Sequence, residues 1–188
     1  MKKNLAVIFG GRSSEHEVSC VSVVTIAKAV DLEKYNMFLI GITKDGEWKL
    51  VEDIAGIEDG SWKQSPVSAI ISQDDMMKVQ PIDVIFPVLH GMYGEDGTIQ
   101  GLFEMADIPY VGCGVFASAA SMDKFYTKLV VDTLGIRQAV YVPVLAEQLE
   151  DIDEVTARVE AKLSYPVFVK PSKAGSSKGV SKADDRAA

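Results

Sequence analysis

Three stretches of this chain set ionisable side chains among glycines, the combination that lets a protein grip a small charged ligand. In GGRSSEHEVS, residues 10–19, two glycines end an apolar run, and Glu15 and Glu17 open a helical one. Glycines between a strand and a helix let a ligand approach the backbone, and the helix N-terminus favours negative charge. One reading gives both carboxylates a capping and helix-dipole role. The other has one of them project into the crevice at the strand's carboxyl edge, where it could hold an ammonium group. His16, between them, is expected at the surface. The third glycine of a dinucleotide fingerprint is missing.

In HGMYGEDGTIQG, residues 90–101, four glycines in twelve residues call for a special backbone path. His90 could donate to a phosphate or carboxylate, or satisfy a loop carbonyl. Glu95 and Asp96 could orient His90 or the backbone. No Ser or Cys stands beside a convincing base, so nucleophilic catalysis is not suggested. The third set is Lys124 in SMDK and Lys170 in FVKP. A lysine that ends an apolar strand buries its stem and keeps its ammonium for an anion, although plain surface charge is the competing explanation. Lys170 is followed by AGSSKG, whose backbone N–H groups could form an anion nest; GxxxxGK[ST] is absent.

The elements that must position these groups read as a parallel α/β unit. Residues 5–9, LAVIF, are a continuous apolar run, as in a strand covered on both faces. Ser14-x-x-Glu17 has the capping-box pattern, and a helix is expected from about Glu15 to Val30. Strands follow at residues 37–43 and 84–89, with a hairpin turn at Asp45-Gly46. Residues 51–78 are polar and irregular. A helix is expected at 98–106, then a short strand in IPYVGCG. This rhythm of strand and helix occupies residues 1–117. A second unit, 118–188, carries an amphipathic helix at 122–134 closed by Gly135, a strand in AVYVPVL (139–145), a helix at 151–163, a strand at 165–170 and a returning strand in GVSKA.

Bulk properties narrow the function. The 188 residues carry a formal net charge of −8, which argues against a general nucleic-acid binder. Two cysteines, Cys20 and Cys113, cannot build a disulfide framework, and no Cys/His spacing suggests zinc; both are expected to behave as small buried hydrophobes. The N-terminal apolar run is too short for a signal peptide, and no stretch is long enough to span a membrane, so a cytoplasmic location is expected.

GGRSSEHEVS, HGMYGEDGTIQG, GCGVFASAASMDK and FVKPSKAGSSKGVSK occur in that order. Together they strongly resemble the D-alanine–D-alanine ligase family, bacterial ATP-grasp enzymes of cell-wall synthesis, over essentially the whole chain. The resemblance implies a Rossmann-like, open-sheet preATP-grasp domain followed by the first part of an α+β ATP-grasp domain. It also implies ATP, Mg2+ and D-alanine as cofactors and substrate, and a homodimer formed through the N-terminal domain. Glu15 matches the glutamate that holds the first D-alanine's ammonium. Ser176 matches a serine in the same positioning network, and His90 the histidine near the transferring phosphate. Lys124 and Lys170 match two lysines on the ATP phosphates, with Ser176 and Ser177 in the accompanying loop.

Two positions depart from the family pattern: Lys178 replaces a usually apolar residue, and RQAVYV lacks a proline often found after LGI. The family's magnesium ligands, an arginine for the intermediate and the lid loop match nothing in these 188 residues, so no metal ligand is assigned. The resemblance therefore implies a truncated enzyme, inactive alone. A D-lactate or D-serine acceptor, as in vancomycin-resistance ligases, and a non-catalytic binding fragment are the alternatives.

Overall fold

The computed structural model describes residues 1–65 and 82–188. The chain divides into two compact units, Met1–Ala119 and Ala120–Ala188. The first is built on a four-stranded sheet of order β3-β2-β1-β4. Its strands are β1 (Lys3–Gly10), β2 (Tyr35–Ile42), β3 (Trp48–Val51) and β4 (Val84–Pro87). β1 pairs in parallel with both β2 and β4, and β3 returns antiparallel on β2. Thr43 N donates to Glu47 O at 2.9 Å across the expected Asp45-Gly46 turn.

The apolar run of β1 follows from burial on both faces. Leu5, Val7 and Phe9 point to one core with Val23 and Ala27 of α1 (His16–Ala29), and with Ile57 and Trp62. Ala6 and Ile8 point to the other, with Ile99 and Phe103 of α3 (Thr98–Met105). A strand between two helical layers has no solvent face to mark by alternation. The irregular stretch from Val51 contains α2 (Ile54–Asp59), capped by Asp53, and a 3₁₀ turn at Ser61–Gln64; residues 66–78 of it lie outside the described residues. Trp62 in that turn is 2% exposed and meets Phe9 edge-on at 4.9 Å. It lies over Gly41, where a Cβ would come within 2.3 Å of the indole.

Several expectations need correction. The capping box does not form. Glu15 is the N-cap residue of α1, with no side-chain cap bond, and Ser13 Oγ instead accepts from Glu15 N at 3.0 Å. His16 is not at the surface but 1% exposed, because Trp62 and the Gly10-Gly11 turn close over it. The strand expected in IPYVGCG is a single bridge, Ile85 to Tyr110. Cys20 is only half-buried and Cys113 is exposed.

The helix expected at 122–134 is α5 (Lys124–Thr133), and a further helix that was not expected, α4 (Val115–Met122), ends just before it. Asp123 separates them, extended at ψ 110 while its carboxylate accepts from Phe125 N and Tyr126 N. A carboxylate that bonds the next turn's amides starts a helix rather than continuing one. α6 (Ile152–Glu160) follows, and then the antiparallel pair β5 (Val167–Val169) and β6 (Ser181–Ala183). Residues 139–145 form no strand. Lys128 Nζ takes the Ala139 carbonyl at 3.2 Å, Arg158 takes that of Pro143 at 3.0 Å, and Pro143 has no N–H for a ladder. No described helix is long and apolar enough to cross a membrane.

Candidate functional site

The strand order reverses at β1, with β2 on one side and β4 on the other. The crevice beyond the carboxyl ends at such a switch point is where open α/β sheets bind ligands. Here it lies between the loop after β1, which carries Glu15, and the loop after β4, which carries His90. A cavity of about 630 Å³ opens there, lined by Gly11, Arg12, Trp48, His90, Tyr93 and Leu102 among others.

Two serines hold the loops together. Ser13, 5% exposed, donates to the His90 carbonyl at 2.6 Å. Ser19, fully buried, accepts from Gly10 N at 2.7 Å and donates to the Val88 carbonyl. Neither stood out in the sequence, because the His90 and Val88 carbonyls they bind lie on a distant segment. Of the two glutamates, Glu17 is exposed and paired with Lys44 at 2.8 Å, which lowers its pKa. Glu15 is half-buried, and its Oε2 lies where a Cβ on Gly91 would come within 2.4 Å. Gly91, at φ +71, thus leaves room for the Glu15 carboxylate against the His90 loop.

His90 Nε2 lies 3.3 Å from Ser22 Oγ of α1. Glu95 and Asp96 orient backbone: Glu95 accepts from Gly91 N at 2.6 Å, and Asp96 accepts from Tyr93 N and Thr98 N. Burial pushes the Asp96 carboxyl up, but the bonds from Tyr93 and Thr98 outweigh it and its pKa falls below 3.8. Arg12, which sequence reasoning passed over, lies 5.6 Å from the Tyr93 ring centre at the cavity wall.

The remaining candidates belong to the second unit. Lys124 Nζ donates to the Ala174 carbonyl, Lys124 N donates to Ser172 O at 3.0 Å, and Ser172 Oγ donates to Asp123. The start of α5 is thereby fastened to the glycine loop. Lys170 is exposed, one residue past β5, beside Phe168 and Val169 at 60% and 58% exposure; its stem is not buried as expected. Ser176 and Ser177 both have positive φ, 50° and 56°, and Lys178 N closes on Gly175 O at 3.0 Å. Two successive residues at positive φ with this closure make a type I′ turn, a conformation that costs a non-glycine residue about 1 kcal/mol or more. Such outliers cluster where a ligand is held.

Asp123 gives a pH test of this arrangement. Burial pushes its carboxyl up, but the hydrogen bonds from Ser172, Phe125 and Tyr126 outweigh that and depress its pKa below 3.8. A carboxyl depressed on folding stabilises above its unfolded pKa, and that contribution is lost as pH falls through the lower folded value. Amide-exchange protection of Phe125 and Tyr126, corrected for intrinsic rates, should therefore fall as pH drops below about 4. Asp123→Asn should flatten that acid limb, and an unchanged profile would contradict the cap.

The first unit is thus an α/β protein of the kind that takes a small ligand at a sheet's switch point, and the second carries a glycine loop on a two-stranded hairpin. Residues 4–113 match the family model for the D-ala D-ala ligase N-terminus and residues 130–188 that for the C-terminus. The chain belongs to the D-alanine–D-alanine ligase family. It is 48% identical to the D-alanine–D-alanine ligase of Ruminiclostridium cellulolyticum, over 98% of this chain and 55% of that protein. It is 47% identical to that of Clostridium novyi, over 99% and 55%. Among solved structures it resembles the VanG D-Ala:D-Ser ligase from Enterococcus faecalis (TM-score 0.87, 36% identity, 100% of this chain and 57% of that one). It also resembles the D-alanine–D-alanine ligase from Coxiella burnetii (TM-score 0.80, 30% identity, 98% and 57%). The chain spans about half the length of these relatives.

Proposed function

We propose that this chain carries the donor-binding and part of the nucleotide-binding machinery of an ATP-dependent D-alanine–D-alanine ligase of peptidoglycan synthesis, acting in the cytoplasm. In this reading ATP phosphorylates the carboxylate of a first D-alanine, releasing ADP. The amine of a second D-alanine attacks the acyl phosphate, and the tetrahedral intermediate collapses to dipeptide and phosphate. Glu15 holds the first ammonium, His90 stands near the transferring phosphate, and Ser176 positions the substrate. Lys124 and Lys170, with Ser176 and Ser177, take the ATP phosphates. Such chemistry rests on positioning and charge neutralisation, so the lack of an activated nucleophile is in keeping with it.

The observation that carries the reading is the Ser13 bridge, which sets the half-buried Glu15 against the loop of His90 at the switch point. Mg2+ would supply charge neutralisation at the phosphates when bound. The residues here do not fit it: the one cluster of three candidate ligands among the described residues offers nitrogen, oxygen and sulfur rather than the oxygens Mg2+ takes. No step is assigned to it. Association of two copies through the first unit belongs to the same reading. A D-serine acceptor is the second reading, favoured by the likeness to VanG. A non-catalytic binding fragment is the third.

The test is to mix the purified 188-residue chain with ATP, Mg2+ and D-alanine. D-alanine should shift the amide resonances of Glu15 and Gly91 while no ADP forms. Unshifted resonances would overturn the donor site, and ADP release at the rate of full-length relatives would overturn the predicted inactivity.

A further inference from the structure

We propose that His16, Glu17 and Cys20 form a site for one borderline-soft divalent cation of the zinc class. A ring nitrogen of His16, a carboxylate oxygen of Glu17 and Cys20 Sγ lie within 4.8 Å of one another. Bonds of about 2.0–2.3 Å at a tetrahedral centre put ligand atoms roughly 3.3–3.8 Å apart, so small side-chain rotations close the set. His16 and Cys20 are one helical turn apart and share a face of α1. In the sequence, one His/Cys pair at this spacing does not by itself suggest zinc.

His16 supplies the independent observation. It is 1% exposed, and its Nδ1 lies 2.7 Å from the Gly11 carbonyl. A carbonyl only accepts, so the proton sits on Nδ1 and Nε2 presents a lone pair. Nε2 is buried and has no hydrogen-bond partner among the described residues. A ring N–H given to a backbone carbonyl, with the other nitrogen left open, is how metal-binding histidines are held.

Glu17 is exposed and gives the ion its way in from solvent, exchanging its pairing with Lys44 for the metal. Burial, and then the Glu17 charge, pushes the Cys20 thiol up to about 11, so binding releases the thiol proton to solvent as the sulfur–metal bond forms. The nitrogen, oxygen and sulfur donors suit Zn2+ and its analogue Co2+, with water as a fourth ligand. The ion would fasten the first turn of α1, next to the Glu15 cap.

Chelator-treated chain should be titrated with Co2+ and then Zn2+. One Co2+ per chain should bind with a thiolate-to-metal charge-transfer band that Zn2+ abolishes. Cys20→Ser should lose the band, Cys113→Ser should keep it, and Lys44→Ala should tighten Zn2+ binding by freeing Glu17. Glu17→Gln, at an exposed position, should weaken Zn2+ binding at least ~10-fold and covers the case in which the cysteine variant misfolds. No band in the unaltered chain, a band that survives Cys20→Ser, or Zn2+ affinity unmoved by Glu17→Gln overturns the site and leaves His16 as a core histidine.

Discussion

On the proposed donor role, Glu15→Gln should abolish most of the affinity for D-alanine. The carboxylate sits half-buried at the N-cap of α1, against Gly91 in the loop that Ser13 ties down. An ammonium placed there exchanges water for one fixed negative charge. The amide keeps the shape and removes the charge, so the ammonium is left desolvated beside a neutral group. Loss of one member of a partly buried, hydrogen-bonded charge pair costs about 2–3 kcal/mol, roughly a 30- to 150-fold rise in Kd. Calorimetry with D-alanine on the 188-residue chain would show it. Glu33→Gln, on the exposed turn before β2, should leave binding as it was. Equal affinity in the Glu15 variant would remove Glu15 from the donor site.

Trp62→Ala should cost more than any other single truncation in the first unit. The indole is 2% exposed, meets Phe9 edge-on, stacks on His16 at 6.1 Å and fills the groove over Gly41. Removing it leaves a void between the backbone of β2 at Gly41 and the rings of Phe9 and His16. Phe/Trp→Ala changes in such places cost about 3–5 kcal/mol. That is a large share of the ~5–15 kcal/mol that holds an ordinary domain together. The midpoint of urea unfolding would drop accordingly, and a loss below about 1 kcal/mol would mean the indole is not part of the core.

The strands β1 and β4 were legible because burial on both faces leaves an unbroken apolar run, and the β2–β3 hairpin because Asp-Gly marks its turn. The pair β5–β6 was legible because it flanks the glycine loop closely. What was not legible depends on distant partners. His16 is polar, and only the Trp62 and Gly10-Gly11 packing buries it. Residues 139–145 are a continuous, valine-rich apolar run as a buried strand would be, but side chains of Lys128 and Arg158 take carbonyls that a ladder would need. The helix at 122–134 was legible from its pattern, but not that the Asp123 carboxylate caps it and so starts it at Lys124. At the site, the motif pointed to Glu15 and His90, while their juxtaposition rests on Ser13, a small residue with no pattern of its own. Lys124 could be named from its motif, but not its grip on Ala174, which lies 50 positions away.

The Ser13–His90 bond joins residues 77 positions apart. In kinetic terms the crevice is a late arrival. α1 and the β2–β3 hairpin use neighbours and form on fast local timescales, whereas β1 must close a long loop before it meets β4. A chain diluted from urea should regain helicity well before it regains D-alanine affinity. If D-alanine binds there as proposed, it would slow the reopening of the finished pocket rather than hasten its assembly.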